Sequence, residues 1–181
     1  MKKKIVQAVL LRWLMPLFLV LQMSACASAG SDSLAPEGQT PVPMSAVSHY
    51  GKGIGISEFS VNDKWGGVLY DGWGGGGSTV CCVDLPDASK QPLVVTVKWK
   101  TYRTNFKEER WHEATVPVHL AVPLGKSSGI VVHFMPGHRV EVWAARQYPE
   151  STEYPGPVYP RGVAPDYVPL PDEKPDPTKG K

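Results

Sequence analysis

The chain has 181 residues, 20% of them charged and 42% hydrophobic, enough for one folded domain with tails and too apolar for wholesale disorder. Its 18 glycines and 18 prolines argue against an all-helical protein. The formal charge of +2 comes from Lys2, Lys3, Lys4 and Arg12; without that segment 15 basic residues face 17 acidic ones, so a generic basic surface for nucleic acid loses its support.

Residues 1–25 have the plan of an export signal. Lys2-Lys3-Lys4 form a positive start, Ile5 to Leu21 is apolar apart from Gln7 and Arg12, and Met23-Ser24-Ala25 brings small residues to Cys26. A membrane-spanning helix needs about 20 apolar residues, and Arg12 interrupts this run. Cleavage after Ala27-Ser28-Ala29 is the soluble alternative. The segment resembles a bacterial lipobox more closely, which implies a lipid on Cys26 as first mature residue. Ala27 is not the Asp that retains such proteins at the inner membrane, so the reading expects an outer-membrane lipoprotein facing the periplasm. Residues 26–46, with Pro36, Pro41 and Pro43, read as a flexible tether.

Residues 47–148 read as an all-β domain: a single β-sandwich or small barrel-like domain of six or seven short antiparallel strands. The clearest strand is Leu93–Lys100, where Leu93, Val95, Val97 and Trp99 share one face and Thr96, Lys98 and Lys100 the other. Glu113–Leu120, Gly129–Met135 and Arg139–Trp143 read as further strands. His49–Ser60 reads as one strand, joined to Val68–Tyr70 through a turn over 62–67.

Asp71 to Pro86 is the most unusual stretch. Trp73 precedes Gly74, Gly75, Gly76 and Gly77, a run that marks a tight or mobile loop. No Gly-Lys-Ser/Thr follows, so a phosphate-cradling loop is not expected. Cys81 and Cys82 leave three readings open. Both thiols are buried, or they form a vicinal disulfide, or they serve redox or metal chemistry; neighbours in a regular strand point to opposite faces, and neither the redox spacing nor the zinc spacing occurs.

The five histidines (His49, His112, His119, His133 and His138) lack paired-ligand spacing. His119 and His133 lie on predicted strands that could bring them together, as hydrogen-bonded rings rather than as a metal site. No Gly-x-Ser-x-Gly elbow is present, so no enzyme, metal or cofactor is expected beyond the lipid on Cys26. Lys98–Glu113 reads as a charged hairpin that discourages edge pairing, or as a steering surface for an acidic partner or lipid headgroups. Trp65, Trp73 and Trp111 are interface anchors if exposed and core if not; Trp73, Gly74–Gly77, Arg103, Lys107, Arg110 and Trp111 are the candidate partner-binding residues.

Residues 149–181 hold nine prolines in 33 positions and read as a solvated tail of polyproline II character. The alternative is that Tyr154 and Tyr159 pack back on the sheet or meet a partner's aromatic groove.

Gly75-Gly76-Gly77, Cys81-Cys82, Leu85-Pro86, Val95-Thr96-Val97-Lys98-Trp99, Val116-Pro117, Phe134-Met135-Pro136-Gly137 and Tyr154-Pro155-Gly156-Pro157 follow an order that resembles the bacterial lipoprotein family called domain of unknown function 3304. Asp87 stands where that family often has Trp after Leu-Pro. The resemblance implies a cognate immunity lipoprotein that binds a phospholipase toxin delivered by type VI secretion. The other reading is a structural or assembly lipoprotein of the envelope, with Tyr154–Pro160 as its contact.

Overall fold

A computed structural model describes residues 38–75, 79–87, 92–103 and 108–162. The export signal, Cys26, Gly76, Gly77, Lys107 and the last part of the Pro-rich tail lie outside the described residues. Among the described residues nine strands account for nearly all the regular structure: β1 Gln39–Gly51, β2 Ile54–Val61, β3 Lys64–Leu69, β4 Gly72–Gly75, β5 Val80–Pro86, β6 Val94–Arg103, β7 Glu108–Leu120, β8 Gly129–Met135 and β9 Arg139–Ala145. A 3-10 turn, Leu124–Lys126, links β7 to β8.

The strands form one sheet in the order β3-β2-β6-β7-β9-β8-β1-β4, and β5 adds to the same edge of β1 as β4. The sheet curls until β3 approaches β5, where Lys64 Nζ lies 3.9 Å from Asp84 Oδ2 across the seam. The all-β reading therefore holds, as a nearly closed barrel. Two pairings depart from the antiparallel expectation: β1–β8 and β7–β9 run parallel. Parallel neighbours need a crossover, and here intervening strands supply it.

Alternation explains the core. Val95, Val97 and Trp99 on β6, Met44 and Ala46 on β1, and Ile130, Val132 and Phe134 on β8 all point inward and are buried. Trp99 and Phe59 both pack on Phe134, with ring centroids 5.7 Å and 5.4 Å away. Truncating a buried aromatic such as Trp99 to alanine costs about 3–5 kcal/mol.

Three expectations are corrected. The strand β1 takes in Gln39–Ala46, which the sequence reading gives to the tether; Val42, Met44 and Ala46 alternate inward beneath the prolines. Pro41 and Pro43 fit because β8 joins β1 only from Met44 onward, so Gln39–Pro43 has a strand on one side only, where a missing N–H is tolerated. The single strand over 49–60 is two strands, parted at Lys52-Gly53 with Gly51 and Gly53 at φ +90° and +94°. Finally, residues 149–162 are not a solvated tail: Pro149 is buried, and Tyr154 and Tyr159 pack back onto strands, as set out below.

Candidate functional site

Strand directions sort the turns into two ends of the barrel. Strand β1 runs from Gln39, opposite Pro86, to Gly51, opposite Gly72. At the Gly51 end lie the β1–β2 turn, the start of β4, the β6–β7 connection and the β8–β9 turn, because Ile54 pairs with Arg103, Arg103 with Glu108, and Met135 with Arg139. That rim gathers Trp73, Arg103 and Arg110, three residues that are far apart in the chain.

Just inside the rim sits a polar and aromatic cluster that sequence reasoning does not assemble. Trp99 Nε1–H donates to the Tyr50 hydroxyl at 3.1 Å, and that oxygen lies 3.0 Å from His138 Nδ1. His138 stacks on His112 with centroids 4.0 Å apart, and His112 Nε2 bonds Thr101 Oγ1 at 2.9 Å. A buried indole needs an acceptor, and Tyr50 supplies it. His138 sits in the β8–β9 turn at φ +54°, which aims its ring inward from the turn. Every polar side-chain atom buried among the described residues has a partner. The cluster stiffens the ends of β1, β6, β7 and β8, and so fixes the rim above it.

A second polar group lies on the outer face of β1 and β8. His49 Nε2 is 2.9 Å from His133 Nδ1, and His133 Nε2 is 2.7 Å from the Tyr154 hydroxyl. Burial pushes the His133 pKa down to about 3, assisted by the neighbouring His49. Burial likewise lowers His49 to about 4, against a smaller opposing pull from Glu141, and burial together with Glu141 raises Tyr154. All three groups are therefore neutral at pH 7, with one proton shared at each link. Farther along the same strap, the Tyr159 hydroxyl accepts the Gly75 N–H at 2.9 Å.

The glycine run thus has a concrete role. Gly74 and Gly75 form part of β4, and a Cβ on Gly74 would strike the Tyr159 hydroxyl. Trp73 is 37% exposed, its indole lying over Gly51. Cys81 and Cys82 are joined by a disulfide, through a cis peptide, so the reading of two buried thiols is replaced by the vicinal pair. Regular alternation fails there because Val80 pairs with Met44 and Val83 with Val42, leaving two cysteines opposite the single Pro43. Cys81 is exposed.

The predicted hairpin is β6–β7, with Lys98 opposite Glu113 and Lys100 opposite Trp111. Trp111 is 60% exposed and Trp65 57%. Arg110 pairs with Glu108, and the hydrogen bond from Lys98 to Asp63 raises the lysine pKa. Lys100 is held up chiefly by its hydrogen bond to Glu109, with Glu58 adding to it. Trp73 and Trp111 do not share a patch: β9, β8 and β1 lie between their strands. His119 stacks on Trp143 at 4.5 Å and does not approach His133 as a partner, because β9 lies between their strands in the sheet. Among the described residues no three His, Cys, Asp or Glu side chains are placed to hold a metal ion. The links of His133 to His49 and of His138 to Tyr50 escape sequence reasoning because the partners lie 84 and 88 residues apart, on strands whose order the sequence does not reveal.

Fold and site define a small, nearly closed β-barrel with a stiffened rim and a C-terminal strap. Residues 50–142 match the family described as protein of unknown function (DUF3304), and the chain belongs to that family. No curated protein and no solved structure matches it.

Proposed function

We propose that this chain is an outer-membrane lipoprotein, anchored through lipid on Cys26 and facing the periplasm, that binds and neutralises a cognate secreted phospholipase toxin of the type VI kind. The observation that carries this reading is directional. Trp73, Arg103 and Arg110 share the rim at the Gly51 end of β1, whereas the chain enters β1 from the Cys26 side at Gln39, the other end. The rim therefore lies at the opposite end of the barrel from the strand end at which the chain enters. The chain from Cys26 to Gln39 can reach at most about 45 Å when fully extended, at roughly 3.5 Å per residue. Holding the domain that close to the bilayer raises its effective concentration against an enzyme working on the same lipid.

The second reading, a structural or assembly lipoprotein, keeps Tyr154–Pro160 as its contact: the Tyr154 and Tyr159 hydroxyls are engaged within the chain, whereas Val158 is exposed.

The test is co-purification of the full-length protein with the product of the adjacent gene, followed by lipase assay of that product. A complex that silences the enzyme is expected. A lipase that neither binds nor loses activity overturns the reading. Replacing Trp73 with Ala should weaken the complex; an unchanged affinity removes the rim. In cell fractions the Cys26→Ser protein should leave the membrane, and retention there would remove the anchor.

A further inference from the structure

The two large outer faces of the barrel differ. On β8 and β1 the chain covers itself, with Tyr154 closing over His133 and Tyr159 reaching Gly75 on β4. Among the described residues nothing covers the outer face of β3-β2-β6-β7. That face carries two exposed indoles. Trp65 lies opposite Ser60, Ser60 opposite Lys98, and Lys98 opposite Glu113, which makes one row across four strands. The next row is Glu58, Lys100 and Trp111. Opposed residues in adjacent strands share a face, so both indoles project to the same side. Three inter-strand steps of about 4.8 Å separate their strands, roughly 14 Å.

Charge on this face is ordered and one-sided. Lys98 Nζ bonds Asp63 at 2.9 Å, and Lys100 Nζ lies 3.3 Å from Glu58 and 3.1 Å from Glu109. Lys100 also sits over the Trp111 ring, 5.2 Å from its centroid. With Glu113, four carboxylates face two ammonium groups. Arg103 and Arg110 occupy the alternate positions of β6 and β7 and do not belong to this face. The face is therefore net negative with apolar projections, the opposite sign from a surface that steers acidic partners or anionic headgroups.

We infer that the outer face of β3-β2-β6-β7, anchored by Trp111 and Trp65, docks a protein surface in which Lys or Arg side chains surround apolar sockets. The inference rests on the binder reading above and names the chemistry of the partner. A phospholipase must meet anionic, apolar bilayer, so its lipid-facing surface carries basic groups around an apolar opening. Carboxylates interleaved with indoles present the same two features in protein form. Because the lattice is already paired and held, little side-chain order remains to be lost on docking. Exposed tryptophans on such a face are the residue type that dominates interface energetics.

The experiment is titration of the full-length protein with the purified product of the adjacent gene, assayed as a lipase, at low and high salt. The variants are Trp111→Ala, Trp65→Ala, and the double reversal Glu109→Lys with Glu113→Lys. Binding by the wild type that weakens at least tenfold in Trp111→Ala and in the charge reversal, and also falls with salt, supports the inference. Since Trp111 is mostly exposed, these variants should keep the wild-type circular dichroism spectrum; should Trp111→Ala not, the charge reversal decides. Wild-type binding with unchanged affinity in all three variants overturns this face while leaving the binder reading standing. No wild-type binding overturns the binder reading, and this inference with it. Trp111→Ala weakening adsorption to phosphatidylglycerol vesicles but not lipase affinity would assign the face to lipid and overturn the inference.

Discussion

Tyr154 and His133, twenty-one residues apart in the chain, meet through a 2.7 Å hydrogen bond that fastens the C-terminal strap to the outer face of β8. His133 is fully buried, and its other nitrogen is engaged by His49. Removing the tyrosine hydroxyl strands one imidazole nitrogen in a site water does not freely reach. Leaving a buried polar group unpaired costs about 1–3 kcal/mol. Tyr154→Phe should therefore lower stability by about 1–2 kcal/mol in urea unfolding. Tyr159→Phe frees only the exposed Gly75 N–H, which water can satisfy, so its cost should be about 0.5 kcal/mol or less. Equal effects for the two variants would contradict this account of the strap.

The same relay sets a pH dependence. His49 and His133 have folded pKa values of about 4 and about 3, below the ordinary 6.5. As pH falls below about 6.5 the unfolded chain binds protons that the folded chain refuses, so stability declines with falling pH. The contribution is complete above about 6.5 and is lost progressively toward the folded values. Glu141 and Tyr154 face the same rings, and neither reverses the sign at neutral pH. Allowing for the partial exposure of His49, a loss of about 1–2 kcal/mol between pH 7 and pH 5 is expected. His49→Gln should flatten that slope, and a wild-type unfolding midpoint constant over this range would refute the assignment.

Much of the barrel is legible in the sequence, for a reason visible in particular strands. Gly129–Met135 is read to the residue because it is a short, mostly apolar run between turns, and Leu93–Lys100 nearly so because its inward residues are apolar while Thr96, Lys98 and Lys100 face outward. The strand β7 starts earlier than read, since Glu108–His112 buries too little to signal itself. Prolines hide β1, whose inward positions keep the period of two. The rim residues can be picked as unusual from sequence, but that Trp73, Arg103 and Arg110 share one end follows only from strand order. Histidine pairing and the strap depend on contacts across more than twenty residues, which composition does not encode.

The β2–β3 hairpin offers a cleaner test of turn chemistry. Asn62 and Asp63 adopt φ of +47° and +62°, the left-handed pair of a type I′ turn. The Asn62 side-chain oxygen also accepts the Thr96 N–H at 2.9 Å, and Asn62 N–H donates to Thr96 O at 2.8 Å, which ties the turn to β6. Asn62→Ala loses the side-chain acceptor and the tolerance for positive φ, so a loss of about 1–2 kcal/mol is expected. Asn62→Gly restores the conformation and not the bond, and should recover part of that loss. If alanine and glycine variants unfold at the same urea concentration, the conformational term is absent.

Gly74 is the position where the glycine run can be separated from mere looseness. It lies in β4 at φ +104°, and a Cβ there would collide with the hydroxyl end of Tyr159. Alanine thus imposes two costs, backbone strain in a region L-residues avoid and expulsion of the tyrosine that receives the Gly75 N–H. Together these should lower stability by about 1–3 kcal/mol. Gly72 in the same strand also has a positive φ, +123°, but has open space where its Cβ would go. Gly72→Ala consequently shows the strain without the collision. Limited proteolysis distinguishes the two: Gly74→Ala should expose the strap between Tyr154 and Arg161 to cleavage, and Gly72→Ala should leave it protected. Equal protection in both variants would mean that Tyr159 does not depend on the bare backbone of β4 for its seat.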